Sequence, residues 1–263
     1  MKTTLYQRLA RKNLPLSTKK ENRLKKAKWK ATRGYILHET KKIVCIATLK
    51  TTNRKTGNMV QLWFLEKGKT PVQSVKSGSD SATVCKGCVF ASGAGCYVNV
   101  GQAPQQIWKA YHKGVYEFLP VKEYGKIFSH RKVRFGAYGN PSLLPVSLVK
   151  RISETSKGWT GYFHDWQDMK PEKARKYAQY LMVSTETEKS RRKAERMKLR
   201  YFHVSPLQPK NTRECLATSR GLTCEECLLC VGNAKPNQKS IWINPHGSRK
   251  KKASEQALQG FAV

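Results

Sequence analysis

The placement of the eight cysteines constrains this chain more than any other feature of its sequence. Seven of them form two tight groups, and only Cys45 stands apart. Two thiols separated by two residues can reach one ion from a single turn of backbone, and further thiols then complete a tetrahedral shell. We therefore predict a fold with two cysteine-rich metal loops. The first cysteine group is Cys85-x2-Cys88-x7-Cys96, and the second cysteine group is Cys215-x8-Cys224-x2-Cys227-x2-Cys230.

The second cysteine group offers a complete set of four thiolate ligands, one of which His246 could replace. We favour structural zinc as the metal, because zinc commonly takes four thiolates at this spacing. An iron–sulfur cluster is the alternative, because iron–sulfur proteins use similarly tight spacings. Thiols that hold no metal are the remaining interpretation.

The first cysteine group supplies only three thiols, so its fourth ligand must come from elsewhere. Cys45, Asp80, His112 or a cysteine of the second group are the candidates. Three protein ligands can also leave one coordination position open, which is the arrangement found in catalytic metal sites. A second structural site, or one binuclear site shared by both groups, are the competing interpretations.

The charge of the chain points to a polyanionic partner. Lysine and arginine outnumber aspartate and glutamate by 51 to 17, which gives a net charge of +34. The phosphates of DNA or RNA neutralise such a charge and release counterions. We expect no membrane partner, since no apolar helix face accompanies the basic runs. The chain shows no secretory signal and no apolar run near the roughly 18 residues of a membrane span, and we expect a cytoplasmic location where thiols stay reduced.

We divide the chain into three segments by composition. Residues 1–34 form a basic arm that includes Lys25 and Lys26, residues 35–247 form a single α/β metal-binding domain, and residues 248–263 form a basic tail. We expect both ends to be flexible without a partner.

Apolar runs and turn residues predict a chain that alternates between strands and helices from residue 133 onward. Such alternation predicts an α/β fold with a partly parallel sheet or a (β/α) barrel-like core, whose functional residues lie in the loops after the strands. The predicted strands are 43–49, 59–65, 133–138, 159–163, 180–184, 200–204 and 241–244. The predicted helices are 103–116, 144–155, 171–179 and 186–199.

Four polar residues near the predicted strand ends and the first cysteine loop are candidate catalytic groups. Asp80 precedes the first cysteine group, Asn140 follows one predicted strand, and His164 and Asp165 follow another. The histidine could act as an acid or base, and an aspartate could orient it or act as a nucleophile. The competing interpretation of His164 and Asp165 is an ordinary polar loop.

The predicted helix 186–199 carries a basic face suited to tracking phosphates. We expect this face to contact nucleic acid together with the basic arm, although surface helices are often charged without a binding role. The residues of the face are Lys189, Arg192, Lys193 and Arg196.

Several short motifs resemble an uncharacterised phage-associated family of cysteine-rich proteins. The resemblance spans roughly residues 57 to 247 and implies an origin in a phage or mobile element, so that the location would be the host cytoplasm. The glycine-rich loop of the first cysteine group is similar in outline to radical-SAM enzymes, and the late cysteine block followed by His246 is similar to base-exchanging transglycosylases. The motifs of the phage-associated family are Gly78-Ser-Asp80, Cys85-x2-Cys88, Cys96-Tyr-Val-Asn-Val-Gly101, Arg134-Phe-Gly-Ala-Tyr138-Gly-Asn-Pro141, Gly161-Tyr-Phe-His164-Asp-Trp166 and the final cysteine block.

These features together predict a metal-containing protein that binds DNA or RNA. An enzyme that acts on nucleic acid, with a base as the first candidate target, is the leading hypothesis. A non-enzymatic accessory protein of replication, transcription or packaging, held together by structural zinc, is the first alternative. An iron–sulfur radical-type enzyme is the second.

Overall fold

The computed structural model describes residues 34–235 and 237–246, together with residues 251, 252, 254 and 255. The basic arm up to residue 33, including Lys25 and Lys26, lies outside the described residues, as does most of the tail. Gly34, which the sequence assigned to the arm, is instead the first residue of a paired strand.

Eleven strands and nine helices lie in the described part of the chain between residues 34 and 246, joined in places by short 3₁₀ turns. The strands are β1 (Gly34–Glu39), β2 (Ile43–Thr48), β3 (Val60–Glu66), β4 (Glu117–Phe118), β5 (Lys132–Tyr138), β6 (Gly158–Thr160), β7 (Tyr162–Phe163), β8 (Met182–Thr185), β9 (Tyr201–Val204), β10 (Thr212–Glu214) and β11 (Ser240–Ile243). The helices are α1 (Pro71–Lys76), α2 (Ser79–Ala82), α3 (Ala103–His112), α4 (Tyr124–Phe128), α5 (Val146–Thr155), α6 (Pro171–Ala178), α7 (Glu188–Arg196), α8 (Leu216–Ser219) and α9 (Cys224–Cys227).

The strands form two sheets, and the prediction of an α/β fold with a partly parallel sheet is confirmed. The first sheet has the order β4-β1-β2-β3-β5-β6, in which β1, β2 and β3 pair antiparallel and the other pairs are parallel. The second sheet has the order β10-β11-β9-β8-β7 and is parallel throughout. Because parallel strands are usually covered on both faces, they form near-continuous apolar runs in the sequence, which made them recognisable.

Gly161 connects the two sheets within the single predicted strand 159–163. The strand pairs with β5 before this glycine and with β8 after it. The Gly161 amide donates to the carbonyl of Cys230 at 2.8 Å, and its carbonyl accepts from Met182 at 3.1 Å. A side chain here would not fit, since a Cβ atom would lie 2.6 Å from the Cβ of Phe135. Across the described residues the pairings run from β4 to β10 without closing into a barrel.

Capping residues explain why two helices are shorter than predicted. Helix α7 begins at Glu188 because Thr187 and Ser190 form a capping box, and it ends before Lys198, which has a left-handed backbone. Helix α3 ends at His112, and Gly114 then turns the chain with positive φ.

No helix in the described part of the chain is both long and apolar enough to cross a membrane.

We expect buried His203 to make the fold less stable in acid. The ring lies on β9 with Nδ1 at 2.9 Å from the Thr185 hydroxyl, and burial lowers its pKa to about 4. The unfolded chain takes up this proton near pH 6.5, so the contribution to stability is complete above that pH and is lost as the pH falls toward 4. Its full size is about 3 kcal/mol.

Urea unfolding at pH 7 and pH 4.5 measures this contribution. Between these pH values, His203→Gln should lose about 2 kcal/mol less stability than the natural chain. Equal losses in the two proteins would contradict the assignment to His203.

Candidate functional site

The two cysteine groups open onto one pocket at the carboxyl ends of the central strands. The pocket has a volume of about 180 Å³ and is bordered by the ends of β5, β8, β9 and β11. Ligand sites of α/β sheets commonly lie at this edge. Six of the seven grouped thiols line it, namely Cys85, Cys88, Cys96, Cys215, Cys224 and Cys230.

Asp80 organises the loop of the first cysteine group from within the protein. Its carboxylate accepts hydrogen bonds from the Ser92 amide at 2.9 Å and the Ser92 hydroxyl at 2.6 Å. Its backbone carbonyl accepts from the amide of Cys85 at 2.7 Å. The side chain is only 1% exposed and does not line the pocket. In the structure, Asp80 therefore stabilises the conformation of the loop.

Asn140 joins the loop of the first cysteine group to the turn after β7. Its backbone amide donates to the carbonyl of Val84 at 2.7 Å, and its side-chain Nδ2 donates to the carbonyl of Lys86 at 3.0 Å. The same Nδ2 atom donates to Oδ1 of Asp165 at 2.8 Å. Asp165 Oδ1 also accepts from the Ser142 hydroxyl at 2.6 Å. Asn140 and Asp165 thus form a buried bridge behind the pocket and are not among its lining residues.

Gly87 allows the turn between Cys85 and Cys88 to pack directly on backbone. Its φ is +75°, and a Cβ atom would lie 2.6 Å from the Cα of Asp165 and 2.9 Å from the carbonyl carbon of His164. The first two thiols are therefore fixed relative to His164 by backbone contact.

A different set of contacts holds the second cysteine group against the turn that precedes β3. Thr223 and Glu226 form a capping box at the start of α9, and the Cys224 amide donates to the carbonyl of Lys55 at 3.0 Å. The carboxylate of Glu225 accepts from the Asn58 amide at 2.7 Å. Lys132 of β5 donates to the carbonyl of Glu225, also at 2.7 Å. These contacts hold α9 against the turn before β3 and against β5.

Arg200 fixes the chain that follows Cys230. Its three nitrogen atoms make five hydrogen bonds, which matches the number of N–H groups in a guanidinium. The accepting carbonyls lie at 2.5 to 3.4 Å and belong to Leu229, Val231, Gly232, Gln238 and Lys239.

The grouped thiols raise one another's pKa. Burial raises the pKa of Cys85 well above its ordinary value, and the nearby Cys88 and Cys96 add to the effect. Burial also raises the pKa of Cys230, with the other thiols of its group acting in the same direction and Arg134 opposing them. Each group therefore holds several thiols that could ionise to negatively charged thiolates. A bound cation would stabilise this ionised form.

The donor set of the two groups fits a thiophilic metal by its chemistry, but the side chains do not yet converge on a point. Among the residues that the structure describes, no three histidine, cysteine, aspartate or glutamate side chains are placed to hold an ion together. None of the eight cysteines, all of which lie in the described part of the chain, forms a disulfide bond. Coordination would thus require the thiols of a group to turn toward a common centre, within loops whose backbone is already arranged. Cys45 is fully buried on β2, and neither it nor His112 lines the pocket, so neither is placed as a fourth ligand for the first group.

His164 contributes an ionisable ring to the pocket. Its Nδ1 atom lies 3.6 Å from Oε1 of buried Glu186. Burial alone would lower the pKa of His164, but negative charge on Cys88 and Glu186 raises it well above its ordinary value. This ring is the one candidate among the four predicted catalytic residues that lines the pocket.

Two residues of the predicted basic face, Arg192 and Lys193, already have partners in the protein. Arg192 pairs with Glu188 at 3.0 Å, and the Lys193 ammonium lies 5.5 Å from the centroid of the Trp166 ring. Lys189 and Arg196 are exposed, and neither forms an ion pair within the described residues. The charge of Arg192 is therefore paired within the protein, whereas the contact with an uncharged ring leaves the charge of Lys193 unneutralised.

Sequence reasoning missed Arg134 and Arg200 as residues of the site. Arg134 lies on β5 between two apolar residues, Val133 and Phe135, and is buried at the pocket. An arginine inside an apolar run of a parallel sheet is the signal that could have identified it, because an arginine is rarely fully buried without a partner. No comparable signal marks Arg200, whose acceptors are backbone carbonyls.

We expect Asn140→Asp to weaken the bridge behind the first cysteine group. The change would place a second carboxylate against Asp165 at the 2.8 Å contact, and two buried carboxylates at this distance cannot both ionise. The free energy of unfolding should fall by about 2–4 kcal/mol at pH 7 and recover partly as the pH is lowered. Chemical unfolding of the single variant measures the loss.

The double variant Asn140→Asp/Asp165→Asn is the matched control, since it exchanges the donor and the acceptor. It restores the hydrogen bond between positions 140 and 165 but not the one to the Lys86 carbonyl, so it should recover part of the stability lost in the single variant. A double variant as unstable as the sum of the two single changes would contradict a direct bridge.

Comparison with known proteins gives no relative: no family model, no curated protein and no solved structure matches this chain. The resemblance to phage-associated cysteine-rich proteins therefore stays a prediction. The function has to be argued from the pocket itself.

Proposed function

We propose that the protein is a metal-dependent enzyme that acts on nucleic acid, with its centre in the pocket shared by the two cysteine groups. The observation that carries the proposal is this shared pocket. The groups lie more than 100 residues apart in the chain, yet six of their thiols line one cavity. Ionisable His164 and Arg134 line the same cavity.

Metal sites that only stabilise their own loops would not need to share a pocket. A structural site encloses its metal with four ligands and stabilises the loop that carries them. Here the sheets already have an extensive apolar core, and both cysteine loops are held by backbone and side-chain hydrogen bonds. Thiols and ionisable groups that lie around one pocket instead favour a catalytic role for the pocket over a purely structural one.

The thiols divide naturally between two roles. The first cysteine group would hold a metal through three ligands and leave a position free, and the second would enclose one with four ligands. A bound zinc ion supplies Lewis-acid chemistry at the open position, whereas an iron–sulfur cluster supplies an electron. His164 lies beside Cys88 and Glu186 and is placed to give or take a proton at the pocket.

Charge supports nucleic acid as the partner. The net charge of +34 favours a polyanion, and exposed Lys189 and Arg196 remain available for phosphates. We place this activity in the cytoplasm, where thiols stay reduced, and in a phage or mobile element in keeping with the sequence resemblance.

Mass spectrometry of nucleosides tests the proposal. The natural protein, Cys88→Ser, His164→Gln and the control Cys45→Ala would each be expressed in bacteria, and total DNA and RNA would be digested to nucleosides. We expect the natural protein and the Cys45 control to change the nucleoside or fragment profile, and the two pocket variants to bind nucleic acid without changing it. Unchanged profiles in all four strains, with salt-sensitive binding retained, would favour the non-enzymatic accessory protein instead.

A further inference from the structure

Arg134 is a buried cation that makes no hydrogen bond or ion pair within the described residues, although the thiols of Cys224 and Cys230 lie near it. Its side chain lies on β5, the residue is 6% exposed, and the guanidinium carbon is 4.6 Å from the centroid of the Tyr162 ring. Throughout the described ranges no hydrogen-bond acceptor or carboxylate pairs with it, whereas Arg200 uses all five of its donors. Because an unpaired buried charge is costly, the position favours an anion supplied by a ligand.

The Tyr162 ring that contacts this cation belongs to a row of aromatic side chains at the pocket. The ring of Tyr162 stacks on Phe202 with centroids 4.5 Å apart, and its hydroxyl lies 3.4 Å from the hydroxyl of Tyr97. The Tyr97 ring stacks on His246 at 5.4 Å, and Tyr97 is 47% exposed. A half-exposed ring at the pocket offers a face on which a planar base can stack. The volume of about 180 Å³ corresponds to roughly six waters of bulk liquid, which admits a phosphate group at Arg134 and leaves the base at the half-exposed Tyr97 ring.

We propose that the pocket binds a single nucleotide, whose phosphate pairs with Arg134 and whose base lies against Tyr97. A guanidinium matches the geometry of a phosphate through paired hydrogen bonds, and the arginine remains charged at any physiological pH. The inference deepens the proposed function by naming the ligand of the pocket, and it rests on that function for the choice of a nucleotide over other anions. The nucleotide could be free in solution or part of a DNA or RNA strand.

Calorimetric titration of the metal-loaded protein tests this site. The probes are the four ribonucleoside 5′-monophosphates, and each is compared with its uncharged nucleoside. We expect at least one monophosphate to bind between about tenfold and a hundredfold more tightly than its nucleoside, as a charge-assisted hydrogen bond implies. Arg134→Gln should remove this preference, and Arg134→Lys should retain part of it. The control Arg151→Gln removes the same charge from an exposed position of α5 and should bind like the natural protein.

Competition with a single-stranded oligonucleotide distinguishes the two sources of the nucleotide. Displacement of the bound monophosphate indicates that a unit of the strand enters the pocket, and simultaneous binding indicates a free nucleotide. Both results support the site.

The melting temperature and the metal content of Arg134→Gln distinguish a failure of this inference from a failure of the proposed function. In the metal-free protein, Arg134→Gln should have an unchanged or higher melting temperature, because it removes a buried charge that has no hydrogen-bonded partner. Its metal content after loading should equal that of the natural protein. If no monophosphate binds more tightly than its nucleoside, or if Arg134→Gln loses metal but keeps nucleotide binding, the inference is overturned and Arg134 serves the thiols alone. Absence of metal from the natural protein would instead overturn the proposed function.

Discussion

Replacing Arg200 with methionine is expected to lower the free energy of unfolding by at least about 4 kcal/mol. The guanidinium donates to five backbone carbonyls, and methionine would leave all of them without this donor, two in buried contacts and three in partly buried ones. Three of these carbonyls belong to the segment 229–232, which contains Cys230. The variant should therefore also release the second cysteine group from the pocket and lose the metal held there.

Two further variants isolate the cause of this loss. Arg200→Lys keeps the charge but has three donors instead of five, so we expect an intermediate loss. Arg175 donates to one carbonyl, that of Met197, from an exposed position of helix α6, and Arg175→Met should cost no more than about 1 kcal/mol. Chemical unfolding and metal analysis of the three variants make the comparison. An Arg200→Met protein as stable as the Arg175 control would contradict the role assigned to Arg200.

Substituting alanine for Gly87 is expected to displace the first cysteine group from the turn after β7. The new Cβ atom would lie 2.6 Å from the Cα of Asp165, in a backbone conformation with φ of +75° that favours glycine. The left-handed backbone costs about 1–2 kcal/mol, and the clash with backbone adds about 1–3 kcal/mol. We expect a total loss of stability of about 2–5 kcal/mol, with a weaker hold on metal by Cys85 and Cys88.

Gly221 provides a matched control for the contact between a Cβ atom at position 87 and the backbone of residues 164 and 165. Its φ of +69° is close to that of Gly87, but a Cβ atom there would meet nothing within 4 Å. Gly221→Ala should therefore show the backbone cost alone, about 1–2 kcal/mol. Equal losses in the two alanine variants, measured by chemical unfolding, would show that the packing of Gly87 on residues 164 and 165 contributes nothing.

The seven predicted strands correspond to strands of the structure because each apolar run is short and bounded by turn residues, whereas β1, β4 and β10 were not predicted. The runs at β2, β3, β5 and β9 were each located to within one or two residues of their ends. The first strand, β1, was missed because it follows directly on the basic arm and carries polar residues among its apolar ones. The division of residues 159–163 between two sheets was also missed, because pairing depends on strand order rather than on local sequence.

The grouping of the cysteines was predictable, whereas their position at one common pocket was only one of several alternatives. Spacing alone indicates which thiols belong to one group. The order of β5, β7, β8, β9 and β11 brings the two groups to one pocket, and no local pattern encodes that order. Local sequence also does not show where a carboxylate lies in the fold. The sequence positions of Asp80 and Asp165 resemble those of catalytic groups, whereas in the structure their carboxylates accept hydrogen bonds inside the protein.

Metal analysis of protein purified without oxygen tests the central claim most directly. The natural protein, Cys85→Ser, Cys224→Ser and the control Cys45→Ala would be assayed for zinc, iron and sulfide and scanned for visible absorption. The account predicts a bound metal in the natural protein and in the Cys45 control, and a lower content in each of the two pocket variants. Natural protein that binds no zinc or iron, or pocket variants that hold as much as the control, would contradict a metal centre formed by the two cysteine groups.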